Sequence, residues 1–201
     1  MKDFAFDWDS ESDRILDNSA VTPGISEYKI KPNTESGPLF LLKNSTFRMP
    51  VHLFTPSDNG GRGFYLQCTS DENCKLCQEG VKVLHVVLVP AIALACKPAD
   101  FEWVVLRVPQ SEKPRSLMPQ LMQAIRGKAC SVIINRLTRI SYRVRTEEIS
   151  PDNLEAIESM VKEWMAIPEE DRRCMMYQII QAYSDDEHGF DLNQMKRPRA
   201  R

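Results

Sequence analysis

The chain has 201 residues, of which 42% are hydrophobic and 27% charged, and its net charge is -2. These proportions are those of an ordinary globular protein, so a wholly disordered, collagen-like or coiled-coil chain is excluded. The longest apolar run is too short to span a membrane, and the acidic first nine residues do not resemble a signal peptide. We therefore expect the six cysteines to be reduced thiols or metal ligands in a protein of the cytoplasm, with no membrane partner.

Charge is unevenly distributed along the chain. Residues 31–145 hold sixteen basic and eight acidic side chains, whereas residues 146–191 hold thirteen acidic and three basic ones. The first thirty residues are also acidic, and the last ten are basic. This asymmetry is typical of a domain that binds a polyanion and has acidic segments that compete for its site. The alternative is a basic surface whose neighbouring acids only keep the protein soluble.

The predicted elements form an α+β protein with four segments. Residues 1–37 are an irregular acidic arm. Residues 38–147 are a basic core with strands at 39–43, 47–54, 64–68, 82–89, 101–108, 129–137 and 140–145 and a short helix at 116–126. Residues 148–184 are an acidic helical hairpin that begins at Ser150 and Pro151 and breaks at Pro168, and residues 185–201 are a flexible tail.

Three details of the core follow from local pattern. Residues 47–68 are predicted as a hairpin with a glycine-rich, partly basic tip at 55–63. Ser116 is predicted to cap the short helix. In the last strand, apolar residues from Ile140 onward alternate with Arg143 and Arg145, so we expect one buried face and one cationic face.

The most specific motif is Cys68-Thr69-Ser70-Asp71-Glu72-Asn73-Cys74-Lys75-Leu76-Cys77. Two cysteines separated by two residues can bind one tetrahedral zinc ion, because the tight turn brings both sulfurs within about 2.3 Å of the metal. Cys68 can supply a third ligand from across the polar loop. The spacing predicts a structural zinc site, since four protein ligands leave no open position for a substrate. The alternatives are a redox-active pair and plain reduced thiols.

Three residues compete to be the fourth ligand: His52, His85 and Cys96. His52 is favoured because it lies upstream on the same predicted hairpin as Cys68. Strict pairing across a hairpin centred on the glycine-rich loop places His52 opposite Leu66 rather than Cys68. We therefore expect a bulge or bend if His52 is the ligand.

Motifs of the common enzyme classes are missing from the sequence. None of the three histidines is followed two residues later by glutamate, as a zinc deaminase requires. There is also no P-loop, no nucleophile elbow and no His-Glu-x-x-His helix. We expect a binding protein rather than an enzyme.

The basic core combines cations with aromatic side chains, the two features with which proteins bind single strands without sequence preference. The residues predicted to contact a strand are Lys43, Arg48, Arg62, Tyr65, Arg136, Arg139, Tyr142, Arg143 and Arg145. Phe47, Phe101 and Trp103 are expected to lie in the core instead.

The order of these motifs resembles the single-stranded DNA-binding proteins of tailed bacteriophages, of the gene 32 type. The resemblance covers residues 38–147, and of its motifs only the cysteine pattern is specific. It rests on Pro50-Val51-His52, Cys68, Cys74-Lys75-Leu76-Cys77, Ile133-Ile134-Asn135-Arg136 and Ser141-Tyr142-Arg143-Val144. It implies an OB-like antiparallel β-barrel with a zinc-knuckle insertion and a basic groove that binds single-stranded DNA in replication, recombination or transcription. The implied zinc ligands are His52, Cys68, Cys74 and Cys77.

The resemblance also implies that the acidic C-terminal region contacts a phage polymerase, a helicase or an RNA polymerase. Two features depart from the family: the N-terminal arm is acidic rather than basic, and the acidic C-terminal region is predicted to be helical and ends in a basic segment. These departures leave a second function open, that of a single-strand-binding or protein-binding cofactor that recruits or regulates an RNA polymerase.

Overall fold

A computed structural model describes residues 25–54, 64–70, 72, 74–111, 113–125, 130–138 and 140–180. Residues 1–24 of the predicted arm, the glycine-rich tip at 55–63 and the tail predicted at 185–201 lie outside this description. None of the helices in the described ranges is both long and apolar enough to cross a membrane.

The protein has a mixed α+β fold around a sheet with nine strands in the described part of the chain. The strands are β1 (Ser26–Glu27), β2 (Thr34–Glu35), β3 (Leu39–Leu41), β4 (Phe47–Phe54), β5 (Phe64–Gln67), β6 (Val83–Ala93), β7 (Glu102–Pro109), β8 (Ser131–Arg136) and β9 (Tyr142–Glu147). The α-helices are α1 (Lys75–Gln78), α2 (Leu117–Ala124), α3 (Pro151–Ala166) and α4 (Glu169–Tyr177). Single 3₁₀ turns occur at Lys43–Ser45 and Pro98–Asp100.

Strand β6 is the centre of the sheet. Strand β7 pairs along one edge of β6, and the other edge is shared between β4, on its first half, and β3, on its second half. Strand β4 also pairs with β5. Strand β3 also pairs with β8, and β8 in turn pairs with β2 and β9. All of these pairs are antiparallel except β1 with β7. The branch at β6 lets the sheet curl into a half-barrel.

Pro90 lies inside this central strand, three residues before the strand ends and one residue beyond the end predicted from sequence. Proline has no backbone N–H and is normally excluded from central strands. The carbonyl of Pro90 accepts the N–H of Leu42, where β3 gives way to the 3₁₀ turn that leads to β4. The N and the carbonyl O of a residue point to the same side of a strand. The position of the missing N–H of Pro90 therefore faces the gap between β3 and β4, so no strand–strand hydrogen bond is lost there.

Side chains alternate between two faces of the sheet, and each face has its own hydrophobic core. The inner face, enclosed by the curl, packs against α2 through Leu39, Ala91, Val104, Leu106, Val132, Ile134, Leu117 and Leu121. The outer face packs against α3 and α4 through Met49, Val51, Val86, Leu88, Val105, Ile157, Trp164 and Met176. Because both faces are covered, β6 is buried continuously from Leu88 to Ile92.

Helices α3 and α4 are joined to the sheet by a buried polar cluster around Ser45. The ring of Trp164 stacks on Trp103 with centroids 4.8 Å apart, and its Nε1 donates to Ser45 Oγ at 2.9 Å. Arg172 of α4 donates to the same oxygen at 3.0 Å. The two helices therefore pack on the half-barrel through specific contacts as well as apolar ones.

Local predictions had mixed outcomes. Ser150 caps α3 by accepting the N–H of Asn153, as predicted. Ser116 precedes α2 but makes no capping bond, because its hydroxyl donates to the carbonyl of Lys113 instead. Ile140 was expected on a buried face but is 70% exposed, since it lies in the turn before β9 rather than in the strand. The segment from 25 to 37, expected to be irregular, contributes the two-residue strands β1 and β2.

Candidate metal centre

The hairpin of β4 and β5 brings His52 and Cys68 to one face of the sheet. His52 pairs with Leu66, as strict register predicts. The ladder continues without a bulge, since the N–H of Cys68 donates to the carbonyl of Pro50 at 3.1 Å. Residues two apart on a strand face the same side, so Cys68 is a diagonal neighbour of His52 on that face. The bulge expected from the sequence is therefore not needed.

The remaining cysteines come from the short helix α1. Cys74 immediately precedes the helix, and Cys77 lies within it. The helix ends in a Schellman motif: Gly80 has φ +71°, its N–H bonds the carbonyl of Cys77, and the N–H of Val81 bonds the carbonyl of Leu76. Glycine adopts this left-handed conformation without strain. This turn sends the chain directly into β6, so the helix is held beside the hairpin.

The four side chains form one compact cluster, with all ligand atoms within 4.8 Å of one another. Cys68 Sγ lies 3.9 Å from Cys74 Sγ and 3.5 Å from Cys77 Sγ. His52 Nε2 lies 3.4 Å from Cys74 Sγ and 3.5 Å from Cys77 Sγ. A tetrahedron with the usual zinc bond lengths has sulfur–sulfur edges of about 3.8 Å and sulfur–nitrogen edges of about 3.6 Å. These four edges are therefore within about 0.3 Å of those of a four-coordinate zinc site.

The electrostatics of the cluster also favour a bound cation. Burial raises the pKa of the Cys74 thiol, but hydrogen bonds from the Cys77 backbone and from the His52, Cys77 and Cys68 side chains outweigh it and lower this pKa to about 6. The hydrogen bond with Cys68, burial, the hydrogen bond with Cys74 and the negative charges of both raise the pKa of Cys77 to about 12. Cys77 thus holds its proton, first of all because of its hydrogen bond with Cys68. A bound cation would allow all three sulfurs to be thiolates at once.

The surroundings of the His52 side chain also favour a bound metal ion. Its side chain is fully buried, and its Nδ1 has no hydrogen-bond partner among the described residues. Its Nε2 contacts only weak sulfur partners there. Burying a polar ring with so few partners is costly, and a metal bond at Nε2 would offset that cost. The backbone N–H of Ser70 adds support on the sulfur side, since it lies 3.3 Å from Cys68 Sγ.

This group could therefore hold a metal ion. Neither of the other two candidates for the fourth ligand joins it within the described ranges. His85 pairs with Pro50 further along β6, and Cys96 is exposed beyond the end of that strand. Strand order, which sequence spacing alone did not resolve, brings His52 to the cysteines: β4 pairs directly with β5, whereas His85 shares this face but lies one strand further away on β6.

The predicted strand-binding residues do not share one surface. Strand register places Arg48, Arg136 and Tyr142 on the inner face of the sheet. The same register places Tyr65, Arg143 and Arg145 on the outer face. Lys43 lies in the 3₁₀ turn before β4, where its ammonium group bonds the carbonyl of Ile125. Arg62 and Arg139 lie outside the described residues.

Several of these side chains already have partners. Arg145 binds Glu35 at 2.5 Å and approaches Glu147 at 3.7 Å. The ring of Tyr65 is half-buried, and the guanidinium of Arg107 lies 4.7 Å from its centroid. Tyr65 therefore does not present both ring faces to a base. Phe101 is buried, and Phe47 and Trp103 are half-buried against the outer core, as expected.

Two exposed cations near β9 were missed by the sequence reasoning. Lys113 and Arg115 precede α2, and the carbonyl of Arg115 accepts the N–H of Tyr142 at 3.0 Å. The segment 113–116 therefore lies along the free edge of β9. Two basic residues separated only by a proline were the available signal.

Comparison of the chain with protein-family models, with curated protein sequences and with solved structures finds no match. What the protein does must therefore be inferred from its own residues.

Proposed function

We propose that this protein is a non-enzymatic single-stranded DNA-binding protein, similar to the gene 32 type of tailed bacteriophages, with one structural zinc ion. The observation that carries the proposal is the closed cluster of His52, Cys68, Cys74 and Cys77. Its order along the chain is that of the zinc site in the family that the sequence resembles. The proposal places the protein in the cytoplasm of the host cell.

The donor set supports zinc among the available metals. Three thiolates and one imidazole are soft and borderline donors, which suit tetrahedral zinc and suit magnesium or calcium poorly. Four protein ligands fill the coordination sphere, so no position remains for a catalytic water. A zinc ion here would join the β4–β5 hairpin to helix α1 and would act on folding rather than on a substrate.

The architecture supports the finer fold assignment. A curled antiparallel sheet with its own inner core is the scaffold that an OB-like barrel requires. The cysteine segment lies between β5 and β6, which is where a zinc-knuckle insertion would leave the remaining strands undisturbed. We therefore propose an OB-like barrel with a knuckle inserted after its first hairpin.

The charge distribution supports a nucleic-acid partner and a second, protein partner. Residues 31–145 carry an excess of eight basic side chains, and the acidic helices α3 and α4 lie on the outer face. A phage polymerase, helicase or RNA polymerase could bind this acidic layer while the basic part of the molecule holds DNA. The second function, recruitment or regulation of an RNA polymerase, uses the same two surfaces.

Fluorescence anisotropy with labelled oligo-dT and a matched duplex tests the function. We expect tighter binding to the single strand and a linear fall of log K with log salt, with a slope of about -0.7 for each phosphate contacted. Absence of binding at about 50 mM salt, where phosphate contacts are strong, would overturn the DNA-binding proposal. Retained binding of an RNA polymerase in that case would favour the second function.

A further inference from the structure

Five basic residues lie at or beside the turn between β8 and β9, with Arg136 on the inner face of the sheet and Arg143 on the outer face. We call this region the basic end, and its members are Lys31, Lys113, Arg115, Arg136 and Arg143. Four of them are exposed, and Arg136 is half-buried. They come from three separate parts of the chain, so their proximity is a product of the fold and is not visible as one basic run.

The backbone holds these parts together. The N–H of Asn33 donates to the carbonyl of Arg136 at 2.8 Å, which attaches the turn that contains Lys31. On the other side, the Gln120 side chain of α2 bonds both the carbonyl of Tyr142, at 2.5 Å, and the N–H of Val144, at 3.1 Å. The segment with Lys113 and Arg115 is thereby fixed beside β9. The cations project from hydrogen-bonded backbone rather than from separate loops.

Four cations of the basic end have no ion pair within the described ranges: Lys31, Lys113, Arg115 and Arg143. Elsewhere the pattern differs: Arg107 binds Glu27, and Arg145 binds Glu35. Unpaired cations of one sign concentrated in one place produce a field that favours a polyanion.

Exposed apolar side chains lie among these cations. Ile140 is 70% exposed and Leu137 is 38% exposed, and both belong to the turn between β8 and β9. The N–H of Leu137 donates to the carbonyl of Ser141 at 2.9 Å. A single strand offers both phosphates for the cations and open base faces for the apolar side chains, whereas a duplex hides its base faces.

We infer that the basic end is the site that holds the nucleic-acid strand, with phosphates on Arg115, Arg143 and Lys113 and a base against Ile140. This inference rests on the proposed function and adds which surface of the protein contacts the strand. It also assigns Arg115 and Lys113, which the sequence pattern did not single out, to the site.

The test is a pair of matched double charge reversals in the full-length chain, Arg115→Glu/Arg143→Glu and Lys97→Glu/Lys162→Glu. The control pair is exposed and lies on the side of α3, since Lys162 is in that helix and Lys97 precedes the 3₁₀ turn that contacts it. Both variants change the net charge equally. Zinc content and thermal unfolding of each variant establish that it is folded before oligo-dT binding is measured.

In Arg115→Glu/Arg143→Glu, the loss of two phosphate contacts should make the slope of log K against log salt shallower by about 1.4. The same relation gives a loss of affinity of about 60-fold at 50 mM salt and about 10-fold at 200 mM salt, before any repulsion from the new glutamates. The control pair should leave the slope unchanged.

A second substitution separates base contact from phosphate contact. Ile140→Ser should weaken oligo-dT binding about fourfold to fifteenfold, the effect of uncovering one or two methylenes, without changing the salt slope. Met165→Ser is the matched control, because Met165 is 49% exposed on α3.

The outcomes separate the two proposals. One outcome is that the wild-type protein binds oligo-dT with a steep salt dependence while Arg115→Glu/Arg143→Glu binds equally well. That result would overturn the proposed site and leave the proposed function standing. Failure of the wild-type protein to bind oligo-dT would overturn both. Equal losses in the two double variants would also reject the site, since the effect would then be one of net charge.

Discussion

Replacement of Cys74 by serine is the perturbation that tests the metal centre most directly. Among the described residues, the cluster around the site has two large, fully buried apolar side chains, Leu66 and Leu76. Burying two leucines contributes about 3–6 kcal/mol, whereas ordering the eight residues described between Cys68 and Cys77 costs roughly 8–16 kcal/mol. Ligation of a structural zinc ion contributes about 10–16 kcal/mol, which covers the difference. Without the metal we expect this segment to open.

The opening should be local. The inner core of the half-barrel does not include any member of the metal cluster, and its strands are joined by their own ladders. Hydrogen exchange measured by mass spectrometry separates the two regions. In Cys74→Ser, the amides of residues 78–81, which are bonded within the α1 turn, should exchange at the rate of an unstructured chain. The amides of Ser36 and Leu42, which bond across the half-barrel, should stay protected.

The control is Cys96→Ser, because Cys96 is exposed and outside the cluster. It should keep its full metal content and its wild-type exchange pattern. Exchange of residues 78–81 that differs by less than tenfold between the two variants would refute the reasoning. So would wild-type protein that contains no metal and still protects these amides.

Three other measurements test separate parts of the structure. Elemental analysis of protein purified without chelator should give about one zinc ion per chain, and all six thiols reacting freely in the native protein would contradict this. Trp164→Ala should lower the free energy of unfolding by about 3–5 kcal/mol, because it leaves a cavity against Trp103 and removes the hydrogen bond to Ser45. A loss below about 1 kcal/mol in a denaturant titration would reject that packing. Arg145→Gln should change stability by less than about 1 kcal/mol, because its ion pair with Glu35 is more than half exposed on the arginine side; a larger loss in the same titration would show that the pair is structural.

The strand positions were largely predictable because they depend on local pattern. Strand β4 begins and ends where the alternation of apolar and polar residues predicts, and most other strands differ by one or two residues at their ends. The exceptions have tertiary causes. Strand β6 runs four residues further than predicted because Pro90 meets a gap between two neighbouring strands. The short strands β1 and β2 exist because neighbouring strand edges were open to them, which composition cannot reveal.

Some functional residues were likewise predictable from local pattern, whereas others depend on the tertiary structure. The spacing of Cys74 and Cys77 predicted a metal site from sequence, since two donors on one tight turn depend only on local geometry. The sequence could not choose among His52, His85 and Cys96, because that choice depends on which strand pairs directly with β5, the strand that leads to Cys68. The pairing of His52 with Leu66, two residues before Cys68, decided it.

The basic excess of residues 31–145, the three cysteine donors and the acidic helical segment could all be read from the sequence, since they are properties of residues near one another in the chain. Which cations face the same way depends on the fold. Arg48 and Arg143 were grouped by charge, yet strand register and the branch at β6 put them on opposite faces of the sheet. Arg115 was left out, yet its carbonyl bonds the N–H of Tyr142 and places it at the same turn as Arg143. Charge composition is additive along a chain, whereas a binding surface depends on how distant strands pair and on which face each side chain takes.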